Sequence, residues 1–257
     1  MRWLELDGVV NGRDVGGLAL AEGGAVAPGR LLRSDNLQDL SEADVDRLVE
    51  DLRLRTVIDL RTGAERRLEG PTPLDRDGRV EVLHLSVHPE TGGQTDVDAE
   101  TVLPGWGEAG MADEPDEHPV VRSYLGYLQH RPDAVVAAVR AIAGTDGAVL
   151  VHCAAGKDRT GVVVALALDA AGVDREAVVA DYLATAERIE AIIDRLASTP
   201  TYAGEVRSQD PRSHAPRPGT MERVLELLDE RHGGAAGWLR AHGLTEDELA
   251  ALRARLG

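Results

Sequence analysis

The chain has 257 residues, 43% of them hydrophobic and 28% charged, with a formal net charge of −17 and one cysteine. That length can bury a substantial core in one large domain or two small ones, while the acidic balance argues against a protein built to coat nucleic acid or an anionic membrane, since either needs a basic footprint. A single thiol excludes an internal disulfide framework and any cysteine-rich metal site.

Taken in order, the opening MRWLELDGVVNGRD lacks the charged head and apolar h-region of a secretory signal, so a cytoplasmic location is expected, with leaderless export left open. NGRDVGGL ends in paired glycines and reads as a turn. Ser41 with Asp44 marks a helix start, followed by Val45, Leu48, Val49 and Leu52 at helical spacing. Short buried strands are predicted over Thr56–Leu60 and Val80–Val87. Pro89–Pro119, rich in Gly, Pro and acids and without a clean period, reads as a long loop or lid. Helices follow over Val120–Gln129 and Asp133–Ala143, the second with Pro132 suited to its first turn. Ala148–His152 reads as a strand, Thr160–Ala171 as an apolar helix closed by Gly172, and Asp174 as the start of one long helix reaching about Ala197. Thr199–Gly219 is irregular, and two or three helices finish the chain, the last opened by Thr245 with Glu248 as a capping box. No apolar run approaches the roughly 20 residues that span a bilayer, so stable membrane insertion is not expected. Strands alternating with helices predict an α/β fold with a mainly parallel central sheet flanked by helices. One domain is expected over residues 1–257, with segments 89–119 and 174–198 as candidate lids that shield the cysteine from oxidation.

The chemistry concentrates in VLVHCAAGKDRTGVVVALAL, where a strand runs into a tight loop and the loop into a helix. The chain holds one lysine, Lys157, four residues from the one cysteine, Cys153. Drift toward arginine coding explains the scarcity of lysine but not this co-location. Between Cys153 and Arg159 lie five residues, Ala154, Ala155, Gly156, Lys157 and Asp158. A loop of that length can wrap its backbone N–H groups around a tetrahedral anion. Small residues at Ala154, Ala155 and Gly156 let the backbone approach closely, and Gly156 can take a positive φ. The following helix aims its positive end at the same point. An unperturbed thiol has a pKa of about 8.5, and a helix N-terminus with nearby cations favours its thiolate. Arg159 offers a planar fork that matches two phosphate oxygens. These residues point to attack by Cys153 on phosphorus while the amides and Arg159 hold the equatorial charge, and to a cysteinyl-phosphate hydrolysed in a second step.

His-Cys-x5-Arg followed by Thr-Gly resembles the signature of the protein tyrosine phosphatase superfamily. HCAAGKDRTG is similar to its atypical bacterial branch, the protein tyrosine phosphatase B type of mycobacteria. NGRDVGGL, GRLLRSDNL, DLRTGAERR, DYLATAERI and the tail DERHGGAAGWLRAHGLTEDELAALR resemble that branch in the same order, so the likeness covers nearly the whole chain. The resemblance implies a cysteine-phosphatase-like fold, with Cys153 as nucleophile and Arg159 as phosphate ligand in a cradle from Ala154 to Thr160. It implies that His152 bonds the loop backbone and tunes the thiolate, and that Thr160 donates its hydroxyl to the sulfur. The plainer readings, a buried histidine and a helix cap, can coexist with those roles. Lys157 and Asp158 are the distinctive pair of the branch.

Ester cleavage also needs a proton for the leaving oxygen. Tyrosine phosphatases typically carry it on a Trp-Pro-Asp loop, and no such tripeptide occurs here. Asp158 is the first choice, by resemblance to lipid phosphatases with an aspartate ahead of the catalytic arginine; its other reading is a structural partner at the base of the loop. Asp59 and Glu65 are the alternatives, because DLRTGAERR follows a strand expected to end on the carboxyl edge of the sheet, where sites form. Arg61 is expected at the pocket mouth or on the solvated surface, and Asn11, Arg13 and Asp14 in a turn supporting the site. The histidines lack metal-ligand spacing, and no metal or other cofactor is implied. The expected partner is a phosphotyrosine protein or, with Lys157 taking a second phosphate, a phosphoinositide; an oligomeric state is not legible. A non-catalytic phosphate-binding module and a rhodanese-like sulfurtransferase compete, and both fit the run from His152 to Gly161 less well.

Overall fold

A computed structural model describes residues 1–88, 111–199, 201–203 and 210–257. Among them six strands form one sheet: β1 (Arg2–Trp3), β2 (Arg13–Asp14), β3 (Leu31–Ser34), β4 (Leu54–Asp59), β5 (Glu81–His84) and β6 (Ala148–His152), in the order β1-β2-β3-β6-β4-β5. The strands β3, β6, β4 and β5 run parallel, and β2 and β1 add an antiparallel edge. This is the mainly parallel α/β sheet that the alternation of elements predicts. A period of two sorts the side chains: Val149 and Val151 join the larger core on one face, Ala148 and Leu150 the smaller core on the other. Two strand boundaries differ from expectation. β4 begins at Leu54, before a register shift between Leu54 and Thr56. β5 covers only Glu81–His84, because its one neighbour, β4, ends at Asp59 opposite His84.

The smaller core is covered by α1 (Glu42–Asp46), which continues as a π turn to Asp51, and by α3 (Pro73–Asp77); α2 (Gly63–Glu69) lies between them in sequence. Ser41 and Asp44 form the expected reciprocal cap of α1. The larger core is closed by α4 (Pro119–His130), α5 (Pro132–Gly144), α6 (Asp158–Ala171), α7 (Arg175–Ala184), α9 (Thr220–His232), α10 (Ala235–Ala241) and α11 (Glu246–Leu256), while α8 (Ile189–Ser198) belongs to a separate small cluster. α6 begins at Asp158, ahead of the predicted Thr160, and is buried nearly all round, which is why its sequence is apolar on every face.

The single long helix expected from Asp174 is two helices joined by a 3-10 turn over Thr185–Arg188. No proline or glycine interrupts this stretch; the break comes from outside it. The Arg13 guanidinium donates from Nη2 to the carbonyl of Asp181 at 2.8 Å and to the Thr185 hydroxyl at 3.1 Å. The Thr185 N–H, which an α-helix would send to Asp181, bonds Tyr182 and Leu183 instead. The helix tightens and changes course there. Of the candidate lid 89–119, residues 89–110 lie outside the described residues. Residues 111–118 are fastened to the helical layer by Glu114 to Arg231 at 2.6 Å and Glu117 to Arg223 at 2.8 Å.

The parallel registers set the ends of three strands side by side: Ser34 pairs with His152, and His152 with Asp59. The loop after β6 therefore leaves the carboxyl edge of the sheet between the loops after β3 and β4, at the crevice where α/β folds place their sites.

Candidate active site

The segment Cys153–Lys157 turns from β6 into α6, and its carbonyls are pulled outward on all sides. Leu60 N–H bonds the carbonyl of His152 and Asn36 N–H that of Ala154, each at 2.9 Å. Asn11 Nδ2 donates to the carbonyls of Ala155 at 2.9 Å and Gly156 at 3.2 Å, and Arg33 Nη2 donates to that of Gly156 at 2.8 Å. The N–H groups of Ala154, Ala155, Gly156 and Lys157 have no backbone partner among the described residues. Successive free amides at the head of a helix make an anion nest. Gly156 is required twice over: its φ is +65°, and a Cβ there would lie 2.4 Å from the carbonyl oxygen of Ser34.

Cys153, at the start of this loop, is a free thiol and only 2% exposed. Arg159 lies in the first turn of α6, and Glu65 grips it from the side, taking Nη1 at 2.6 Å and Nη2 at 2.8 Å. Burial would lower the pKa of Arg159, but Glu65 and then Cys153 outweigh it and raise it. Glu65 also closes the capping box of α2, accepting from the Thr62 N–H at 2.7 Å, and receives the Tyr202 hydroxyl. Burial pushes Glu65 up, yet Arg159 and the Thr62 bonds hold it below the ordinary range. It is an ionised clamp, which removes it from the candidate acids.

Asp59 leaves that set for the same reason. Arg61 grips both its oxygens, at 2.9 and 2.8 Å, and is itself buried. The placement of Arg61 at the pocket mouth or on the surface is thus overturned: Asp59, two residues earlier at the end of β4, draws it inward, and Nη1 continues to Asn36 at 3.1 Å. Burial would raise Asp59, but His152 and Arg61 outweigh it. His152 is pushed down to about 4, chiefly by burial, so above that pH it is neutral and the Arg61 fork keeps Asp59 ionised. His152 Nδ1 lies 3.2 Å from the carbonyl of Cys153, which can only accept, so Nδ1 carries the hydrogen and the bond to the loop backbone is made. Thr160 Oγ1 is buried without a hydrogen-bond partner among the described residues, a hydroxyl left available to the site.

Of the three candidate acids, Asp158 is the one with no guanidinium partner among the described residues. It accepts from the Tyr124 hydroxyl at 2.6 Å, with Lys157 Nζ 3.6 Å away, and Tyr124 in turn meets the Tyr182 hydroxyl at 2.9 Å. Lys157 Nζ donates to the carbonyl of His214, at 2.5 Å, in the 3-10 turn Pro211–His214. Over the loop lies α8, whose Ile189, Ile192, Ile193 and Leu196 pack with Ala154 and Ala155 in a small apolar cluster. Arg195 ties it to Asp35 at 2.7 Å and Asp39 at 3.1 Å.

A model of the tyrosine phosphatase family matches residues 4–257. The chain belongs to that family. It is 33% identical to a tyrosine-protein phosphatase of Nostoc commune, over 91% of this chain and 76% of the relative. It is also 32% identical to the triple specificity protein phosphatase PtpB of Mycobacterium tuberculosis, over 97% of each. As a tyrosine phosphatase family member the chain is a phosphoric monoester hydrolase. The likeness read in HCAAGKDRTG and its flanking segments is therefore the right one.

Three contributions went unread in the sequence. The sequence makes Glu65 a candidate acid, yet Thr62-x-x-Glu65 after a strand is a capping-box signature that fixes where its carboxylate points. Arg33 stands beside Leu31 and Leu32 in a buried strand, a placement that demands a buried partner. Tyr124 gave no signal beyond an aromatic residue in an amphipathic helix. Asn11 and Arg13 do support the site, through direct bonds rather than a turn alone.

Proposed function

We propose that this phosphatase cleaves phosphomonoesters through a cysteinyl-phosphate on Cys153. The observation that carries this reading is the loop itself: outward-held carbonyls and a clamped Arg159 leave amides and a guanidinium around one buried thiol. The sulfur attacks phosphorus, the S–P bond forms as the ester P–O bond breaks, and the amides with Arg159 take up the charge of the equatorial oxygens. Asp158 gives its proton to the leaving oxygen, since Asp59 and Glu65 are both held ionised by arginines. In the second step water attacks phosphorus and returns a proton to Asp158. The S–P bond breaks, phosphate leaves, and Thr160 Oγ1, without a hydrogen-bond partner among the described residues, donates to the departing sulfur.

Phosphotyrosine proteins are the leading substrates. A thiol only 2% exposed is reached more readily by a phosphate on a long, flat phenolic arm than by one on a short alkyl side chain. A phosphoinositide is the second reading. Lys157 binds a neutral carbonyl and stands 3.6 Å from one carboxylate, so part of its charge is left for a second phosphate. The name of the mycobacterial relative supports breadth of specificity. The α8 helix and the turn before Ala215 act as a cover over the loop.

The test is phosphate release from a phosphotyrosine peptide and a phosphoinositide panel by wild type and Cys153→Ser. A loss of at least about 1000-fold in the variant is expected on every substrate the wild type accepts. Turnover retained by Cys153→Ser would sink the cysteine mechanism.

A further inference from the structure

Two separate features meet at one buried carboxylate. Asp181, in α7, is 2% exposed and lies between two guanidiniums, Arg13 Nε at 2.8 Å and Arg33 Nη1 at 2.5 Å, both arginines being buried still more completely. From Arg33 the line runs straight to the carbonyl of Gly156. From Arg13 it passes through Asn11: Nη1 donates to Oδ1 of Asn11 at 2.6 Å, and Nδ2 of Asn11 donates to the carbonyls of Ala155 and Gly156. A guanidinium can only donate. Arg13 therefore fixes which end of the Asn11 amide faces the loop, and the amide supplies donors where the loop needs them. The same Arg13 holds the carbonyl of Asp181 and the Thr185 hydroxyl, and so makes the break that carries the chain into α8.

We infer that Asp181 is a positioning residue for the phosphate loop: by setting the two guanidiniums, it holds the loop carbonyls outward and the amides inward, and it fixes the helix break leading to α8. This inference rests on the proposed reading of the Cys153 loop as the phosphate site. Asp181 touches neither phosphate nor sulfur in this scheme. Its effect passes through Arg33 and through Arg13 with Asn11.

The sign of the effect separates positioning from simple electrostatics. Asp181 is a negative charge behind an anion site. If charge alone mattered, neutralising it would leave two arginines in excess and tighten phosphate binding. If Asp181 positions the loop, its loss releases both arginines and weakens binding.

The experiment compares wild type, Asp181→Asn and Asn11→Ala in competitive inhibition by inorganic phosphate and orthovanadate, with circular dichroism and thermal midpoint measured alongside. At least a ten-fold rise in both inhibition constants is expected for Asp181→Asn in folded protein, with a rise of similar size for Asn11→Ala. Tighter or unchanged inhibition in folded Asp181→Asn would overturn the inference. Should Asp181→Asn not fold, Asn11→Ala carries the test, and unchanged inhibition there would overturn it equally. Failure of the underlying reading looks different: wild type itself would then show no inhibition by either anion, and Cys153→Ser would hydrolyse as wild type does.

Discussion

The loop Cys153–Lys157 is held in one way from below and in another from above. Below it, carboxylates are matched to guanidinium forks at 2.5–2.8 Å: Asp181 with Arg13 and Arg33, Glu65 with Arg159, and Asp59 with Arg61. Above it, α8 rests on Ala154 and Ala155 through aliphatic side chains, with one largely buried tie from Arg195 to Asp35 and an exposed one from Glu190 to Arg212. The two kinds of attachment fail differently. Removing one member of a buried ion pair strands the other charge, at a cost of about 3–5 kcal/mol, so the frame holds or breaks as a unit. An apolar contact has no direction and loses free energy in proportion to the area uncovered. The frame is thus held mainly by directional charge pairs, and α8 mainly by apolar area.

Breaking the frame should have the largest effect. Gly156→Ala forces a side chain into the carbonyl of Ser34 at a left-handed backbone position. Strain and overpacking together should cost about 2–5 kcal/mol, and displacement of the loop amides should lower kcat/KM by at least about 100-fold. Denaturant melts and steady-state kinetics on an aryl phosphate check both; a loop that accepted alanine with its activity intact would show that the frame is not rigid.

Acid should loosen the frame next. His152 is buried neutral, with a folded pKa of about 4 against roughly 6.5 in the unfolded chain. The unfolded state binds the extra proton first, so this stabilisation is complete above about pH 6.5 and is lost as pH falls from there toward the folded value. The shift corresponds to about 3 kcal/mol. Asp59, also held low, adds a loss of the same sign at more acid pH. A thermal midpoint measured from pH 8 to 4.5 should fall by several degrees, beginning near pH 6.5; a flat profile would place His152 in contact with water.

The smallest effect belongs to the cover. Ile192→Ala removes an aliphatic side chain from the small cluster over Ala154. It should leave the global thermal midpoint within about 2 °C of wild type, because that cluster is separate from both main cores. Exchange of the α8 amides should quicken, and kcat/KM on a small aryl phosphate should hold or rise by up to about three-fold. A fall in midpoint comparable to a core truncation, about 2–5 kcal/mol, would make α8 part of the frame.

The difference between frame and cover also explains what the sequence made legible. The loop could be read because its chemistry is local: Cys153, Gly156, Arg159 and Thr160 lie within one turn and one helix start, and spacing alone carries their geometry. The caps at Ser41 and Thr245 were readable for the same reason. The frame was harder, because three of its four pairs, those of Asp181 with Arg13 and Arg33 and of Glu65 with Arg159, span long stretches of chain. Asp181 is one polar residue in DYLATAERI, and nothing in that run says that Arg13 will take its carbonyl and break the helix. Arg61 looked exposed because an arginine usually is; its partner stood only two residues away in Asp59, but the pairing depends on both falling at the end of a buried strand.

Lys157 is the single lysine of the chain. Its ammonium is docked on the His214 carbonyl, in the turn that leads to Ala215 at the edge of the cover. An acylating reagent therefore meets one side-chain amine in the whole protein, and that amine is mostly buried and engaged by the turn. The rate of acylation at Lys157, read by mass spectrometry from one peptide of the unmodified sequence, reports how firmly the His214 turn holds this amine.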